Sequence, residues 1–197
     1  MNYSIYAEST PNPGVMKFVA NRMLVDKSIE ITQSEQAKDI SVAKALFNFP
    51  FVKSLYLSSN FISIAKTDNV EWDVIAMQLR NFITDFLNEK GLKNYTENIT
   101  DEERIKTEVK AEKNTVKIEF TDKEKAIIDL LNEYIKPAVE ADGGAITFNS
   151  YVGDVVTVNL KGACSGCPSA TSTLKGGIES LLNQKVDPNI VVRANEG

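Results

Sequence analysis

A thirty-residue stretch of mixed charge, residues 91–120, divides this chain of 197 residues and limits what it can fold into. Its run YTENITDEERIKTEVKAEKNTVKIEF is poor in large apolar side chains and keeps no steady hydrophobic period. Such a segment cannot bury enough apolar surface to offset the entropy of ordering it. It reads as a charged linker, with a short strand or helix of its own. The competing reading is a charged surface helix of one larger domain. With the linker, the chain resolves into two small α/β domains, residues 1–90 and 121–197, of the α/β (α+β) class.

In the first domain, Tyr3–Glu8 and Val15–Asn21 read as strands around Thr10-Pro11-Asn12-Pro13-Gly14. That insert is turn chemistry, because prolines set φ and glycine admits φ > 0. Residues 36–47 read as a helix. Val52–Leu57 and Phe61–Lys66 alternate around Ser58-Ser59-Asn60 and predict a β-hairpin. From Glu71 onward, Trp72, Ile75, Ala76, Leu79, Phe82, Ile83, Phe86 and Leu87 mark one helical stripe, with Gly91 as its stop. Trp72 on that stripe reads as a core residue rather than a ligand contact.

The second domain opens on Thr121-Asp122-Lys123-Glu124, a capping-box pattern. Ile127, Leu130, Leu131, Tyr134 and Ala138 follow on one predicted helical face, where Pro137 should kink or end the helix. Asp142-Gly143-Gly144 reads as a helix-end turn rather than a site element. Ile146 and Phe148, then Val156, Val158 and Leu160, form two alternating runs that bend at Gly153-Asp154. A cysteine loop comes next. Leu174, Ile178, Leu181 and Leu182 then predict a helix, and Asn189–Ala194 a last strand.

Composition removes several functions. A net charge of −5 argues against nucleic acid and against an anionic membrane surface as partners. No apolar run approaches the ~20 residues of a membrane-spanning helix. The first residues lack the basic start and apolar run of a secretory signal and the Arg-rich look of a transit peptide, so a cytoplasmic setting is expected. There is no histidine, which excludes Ser-His-Asp and Cys-His catalysis within one chain.

The remaining chemistry lies in Lys161-Gly162-Ala163-Cys164-Ser165-Gly166-Cys167-Pro168, which holds both cysteines of the chain. The octapeptide leaves a strand and enters a helix, and Pro168 suits a first helical position. A helix N-terminus favours negative charge and is expected to lower the thiol pKa values there. Two sulfurs at this spacing can face one metal centre. Iron–sulfur clusters and structural zinc usually take four ligands, and one chain offers two thiolates. Two chains, each supplying one pair across a two-fold axis, would complete the set. Lys161 would offset charge there or simply be solvated. A thiol–disulfide oxidoreductase uses the same spacing after a strand. Here Ala163 stands where an aromatic residue is common, and only residues 168–197 follow, too few to finish a thioredoxin fold. A zinc-sharing dimer and a structural disulfide are the other readings.

Residues 125–194 resemble the NifU-like C-terminal domain of Nfu-type iron–sulfur cluster carriers. The resemblance rests on Ile135 through Gly144 and on Leu160 through Glu179, with the octapeptide and Thr173-Leu174-Lys175 inside the second stretch. Residues 1–88 resemble, more loosely, the domain that precedes it in that family, through Thr10-Pro11-Asn12-Pro13, Lys17-Phe18 and the hairpin Val52–Lys66. The resemblance implies a [4Fe–4S] cluster held between the subunits of a homodimer by Cys164 and Cys167; a [2Fe–2S] cluster is the alternative cofactor. It implies a non-enzymatic carrier that receives the cluster from upstream assembly proteins and passes it to apo-proteins. The first domain, which shows no ligand set, is expected to recognise partners or to shield the site.

Overall fold

The structure is a computed structural model that describes residues 2–37, 40–91, 120–166 and 168–195, with the backbone alone at 168–171. The linker expected over 91–120, with any strand or helix inside it, lies outside the described residues except at its ends. On either side of it stand two α+β units with separate cores.

The first unit is an antiparallel sheet, ordered β1-β2-β5-β4-β3 among the described residues. Its strands are β1 (Ile5–Ser9), β2 (Val15–Ala20), β3 (Ile29–Ile31), β4 (Val52–Ser58) and β5 (Phe61–Lys66). β4 and β5 form the expected hairpin, pairing Leu55 with Ile64 and Leu57 with Ile62. The third strand, Ile29–Ile31, is too short to announce itself by alternation. The helix expected over 36–47 is a 3₁₀ turn at Ser34–Ala37 followed by α1 (Ser41–Leu46). The long helix α2 (Trp72–Lys90) appears where the stripe predicts it, burying Ile75, Leu79, Ile83 and Leu87 against one face of the sheet. Trp72 packs on that core only at its edge, and its indole Nε1–H donates to the Pro13 carbonyl at 2.9 Å.

The second unit starts with the capping box in full. The Glu124 N–H donates to Thr121 Oγ1 at 3.3 Å, and the Thr121 N–H donates to Glu124 Oε2 at 2.8 Å. Helix α3 (Asp122–Leu130) runs without a stop through a π turn (Leu131–Ile135) into α4 (Lys136–Ala141). The helix therefore does not end at Pro137, which follows directly on the π turn, where the ladder has already shifted to a wider bond from the Lys136 N–H to the Leu131 carbonyl. The wider turn re-phases the buried face. Ile127, Leu131 and Val139 are buried with Ile135 packed beside them, whereas Tyr134, expected inside, is 51% exposed and Ala138 is exposed too. Strands β6 (Gly144–Val152) and β7 (Val155–Gly162) form a hairpin that bends at Gly153-Asp154. Helix α5 (Pro168–Lys185) then crosses over to β8 (Val191–Asn195), which lies parallel to β7, as a parallel pair requires. The core sits on one face of this sheet, among Ile146, Val156, Val158, Ile178, Leu182 and Val192.

Candidate metal-binding cysteine loop

The loop between β7 and α5 is built as its residues dictate. Gly162 ends β7 at φ +61°, a conformation that favours glycine, and the Ser165 N–H closes a turn on the Gly162 carbonyl at 3.1 Å. α5 begins at Pro168, as expected. Cys167 lies outside the described residues.

Cys164 does not stand out at the surface; it is 7% exposed. It belongs to the second unit's core and lines a cavity of about 350 Å³ shared with Val139, Asp142, Leu174 and Pro11. Burial, and then the Asp142 carboxylate, push its thiol up from an ordinary 9.0 to about 11. The expected lowering by a helix N-terminus is thus reversed at Cys164. Transfer out of water disfavours the thiolate more than the turn stabilises it.

The turn at 142–144 is more than a helix end. Gly143, at φ +81°, accepts the Ala163 N–H on its carbonyl at 3.2 Å and so ties the turn to the cysteine loop. Gly144 is not in a left-handed conformation. A Cβ there would stand 2.7 Å from Cys164 Sγ and 2.7 Å from the Lys161 carbonyl. The glycine leaves the space that the sulfur fills. Lys161 is exposed.

The first unit reaches this loop through residues that the sequence had not singled out as contacts. Asn12 is 8% exposed, and its Nδ2 donates to the carbonyls of Ala163 at 3.1 Å and Ser165 at 3.3 Å, one on each side of Cys164. Its Oδ1 accepts the Gly14 N–H at 2.9 Å, so the amide is satisfied on both ends. Glu30 Oε1 accepts the Gly162 N–H at 3.1 Å. Ser63 Oγ donates to the Gly143 carbonyl at 2.6 Å, and Lys17 Nζ to the Ala141 carbonyl at 2.8 Å. The available signal was that Asn12 and Lys17 sit in motifs carrying a family resemblance without chemistry of their own.

Two family matches flank the linker in this order. Residues 5–90 match the family described as scaffold protein Nfu/NifU N terminal, and residues 127–193 match the NifU-like domain. The chain belongs to the Nfu family. The NFU1 iron-sulfur cluster scaffold homolog, mitochondrial, of Drosophila grimshawi is 33% identical over 181 residues, covering 90% of this chain and 57% of that protein. NifU-like protein 5, mitochondrial, of Arabidopsis thaliana is 31% identical over 182 residues, covering 90% of this chain and 62% of that protein. The chain thus spans about three fifths of the length of these relatives. A solution NMR structure of a NifU-like protein from Saccharomyces cerevisiae is similar at 28% identity and a TM-score of 0.40, covering 44% of this chain and 79% of that one. The mitochondrial relatives overturn the cytoplasmic setting expected above and point to the mitochondrion instead. Reduced thiols do not separate the two compartments, and nothing about the compartment follows from where this chain begins.

Proposed function

We propose that this chain is an iron–sulfur cluster scaffold of the mitochondrion that holds a [4Fe–4S] cluster between two copies, through Cys164 and Cys167 of each, and hands it to apo-proteins. The observation that carries the reading is the concentration of ligand chemistry. Both cysteines of a histidine-free chain fall within one glycine-containing octapeptide of the sequence, and the relatives are named as scaffolds. Two thiolates cannot complete a four-thiolate set, so a second copy is required. A [2Fe–2S] cluster would fit the same donor count.

The cluster is cargo, not the agent of a reaction, and the role is non-enzymatic. Delivery is ligand exchange: a target thiolate binds an iron as a carrier cysteine leaves it. The proton of the incoming thiol ends on the departing sulfur, and the cluster changes neither composition nor oxidation state. Upstream assembly proteins and apo iron–sulfur proteins are the partners this chemistry calls for.

Anaerobic reconstitution with iron and sulfide, followed by size-exclusion chromatography with metal, sulfide and protein assayed across the peak, tests the reading. The expected result is a dimer with about two iron and two sulfide per chain, half of a four-iron cluster each. Cys164→Ser and Cys167→Ser should each abolish stable binding and leave the far-UV circular dichroism unchanged. Wild-type cluster content in either variant, or no bound iron together with a reversible Cys164–Cys167 disulfide, would defeat it.

A further inference from the structure

The five-stranded sheet uses both of its faces. One holds the core under α1 and α2. By the two-residue period of its strands, the other presents Lys17 and Val19 from β2, Tyr56 from β4, and Phe61 and Ser63 from β5. On an antiparallel sheet that face is commonly solvated. Here Ser63 is 1% exposed, and Val19, Tyr56 and Phe61 are buried with Ala145 of β6 packed against them. The second unit covers this face.

The polar bonds of Asn12, Lys17, Glu30 and Ser63 across this contact all run from side chains of the first unit to main-chain groups of the second. They grip backbone at Gly162, Ala163 and Ser165 on both sides of Cys164, and at Ala141 and Gly143 on the turn facing it. The two gripped glycines also give the room. A Cβ on Gly162 would lie 2.8 Å from the Tyr56 ring, and one on Gly143 would lie 2.6 Å from Ser63 Oγ. The fit is to the shape of the cysteine loop itself.

A sulfur that shares a metal centre with a second chain has to reach the molecular surface. Cys164 is buried in a loop pinned on both sides by the first unit. The geometry points to residues 1–90 acting as a lid: the docked form stores Cys164, and the lid must lift from the cysteine loop before the pair can meet iron held by a second copy. The need to lift rests on the shared-cluster reading; the docked form rests on the hydrogen bonds alone.

The test uses the full apo chain carrying Cys167→Ser, so that Cys164 is the only thiol. A bulky maleimide labels it at fixed pH, with the denatured chain as the unhindered reference. In the docked form labelling is slow. Asn12→Ala with Ser63→Ala removes three bonds between the units, two to the cysteine loop and one to the turn facing it, and should speed labelling about tenfold or more, since each lost bond contributes toward a tenfold step. Circular dichroism and the urea midpoint show that the variant is folded. Equal rates in parent and folded variant, or a parent that labels at the denatured rate, overturn the lid. If the double variant does not fold, nuclear Overhauser contacts between the Asn12 side-chain amide and the 163–165 loop of the unaltered protein decide the matter; their absence overturns it. No iron enters these measurements. A chain that binds no cluster would end the carrier reading, and with it the need to lift, and leave the docked form standing; a carrier without a lid would load fully yet label fast.

Discussion

At the scale of single residues, Cys164 and Gly144 determine each other. The sulfur lies where a side chain on residue 144 would be, and burial there keeps the thiol neutral. Gly144→Ala should destabilise the protein by about 1–3 kcal/mol, as overpacking in a tight core does, read from urea unfolding. The new methyl would meet the Lys161 carbonyl and the Cys164 amide nitrogen, both backbone, which cannot swing aside. A midpoint equal to wild type would show that the loop yields freely. The pH dependence follows from the same burial. The folded thiol is raised from 9.0 to about 11, so its contribution to stability is complete below pH 9.0 and is lost as the pH rises toward 11. In the Cys167→Ser chain, the rate of small-molecule alkylation should accordingly have its midpoint near 11, and the Asn12→Ala, Ser63→Ala variant should bring it back toward 9.0. A parent midpoint at or below 9.0 would mean that Cys164 is open to water in solution. Cys164 and Cys167 were legible as the candidate pair because the chain has two cysteines and no histidine. Asn12 was legible as a turn residue within a motif of the family resemblance but not as a partner of the cysteine loop, since its partners lie about 150 positions away.

At the scale of elements, Trp72 joins the longest helix of the first unit to the Pro11–Gly14 turn that reaches the cysteine loop. Its position on the apolar stripe was plain, but its donor was not, because an indole N–H gives no periodic signal. Trp72→Phe keeps the aromatic bulk and removes the bond to the Pro13 carbonyl. It should cost about 0.5–1.5 kcal/mol in urea unfolding and make Cys164 label faster. Lower stability with unchanged labelling would confine the role of Trp72 to its own core. The α3–π–α4 helix teaches a complementary lesson. Its start could be read from four residues, because the capping box is local chemistry. Its buried face could not be followed past Leu131, because one wide turn shifts the phase and moves Tyr134 outward. Whether a helix stops or re-phases ahead of a proline depends on what packs against it.

At the scale of the whole molecule, the two cores are separate, and the contact between them is a patch of side chain on main chain with a small apolar cluster at its side. Ala145 stands at that cluster, on the face of β6 turned away from the core residue Ile146. Ala145→Arg should therefore push the units apart without unfolding either. X-ray scattering should show a larger radius of gyration, with amide shift changes confined to the residues of the contact. An unchanged radius with the arginine in place would argue against the docked form. By itself the sequence determined the class of each unit and most of the strands and helices, and it singled out Cys164 and Cys167 as the candidate pair. These rest on short-range chemistry and composition: two- and four-residue periods, a cap, turns, and the scarcity of cysteine and histidine. Only the tertiary structure decided that the sheet of the first unit is covered on both faces, that Asn12 and Glu30 hold the cysteine loop, and that Cys164 is buried with a raised pKa. Those depend on which surfaces meet in three dimensions, within the second unit for Cys164 and across the linker for the rest, and no local pattern encodes a contact between residues so far apart in the chain.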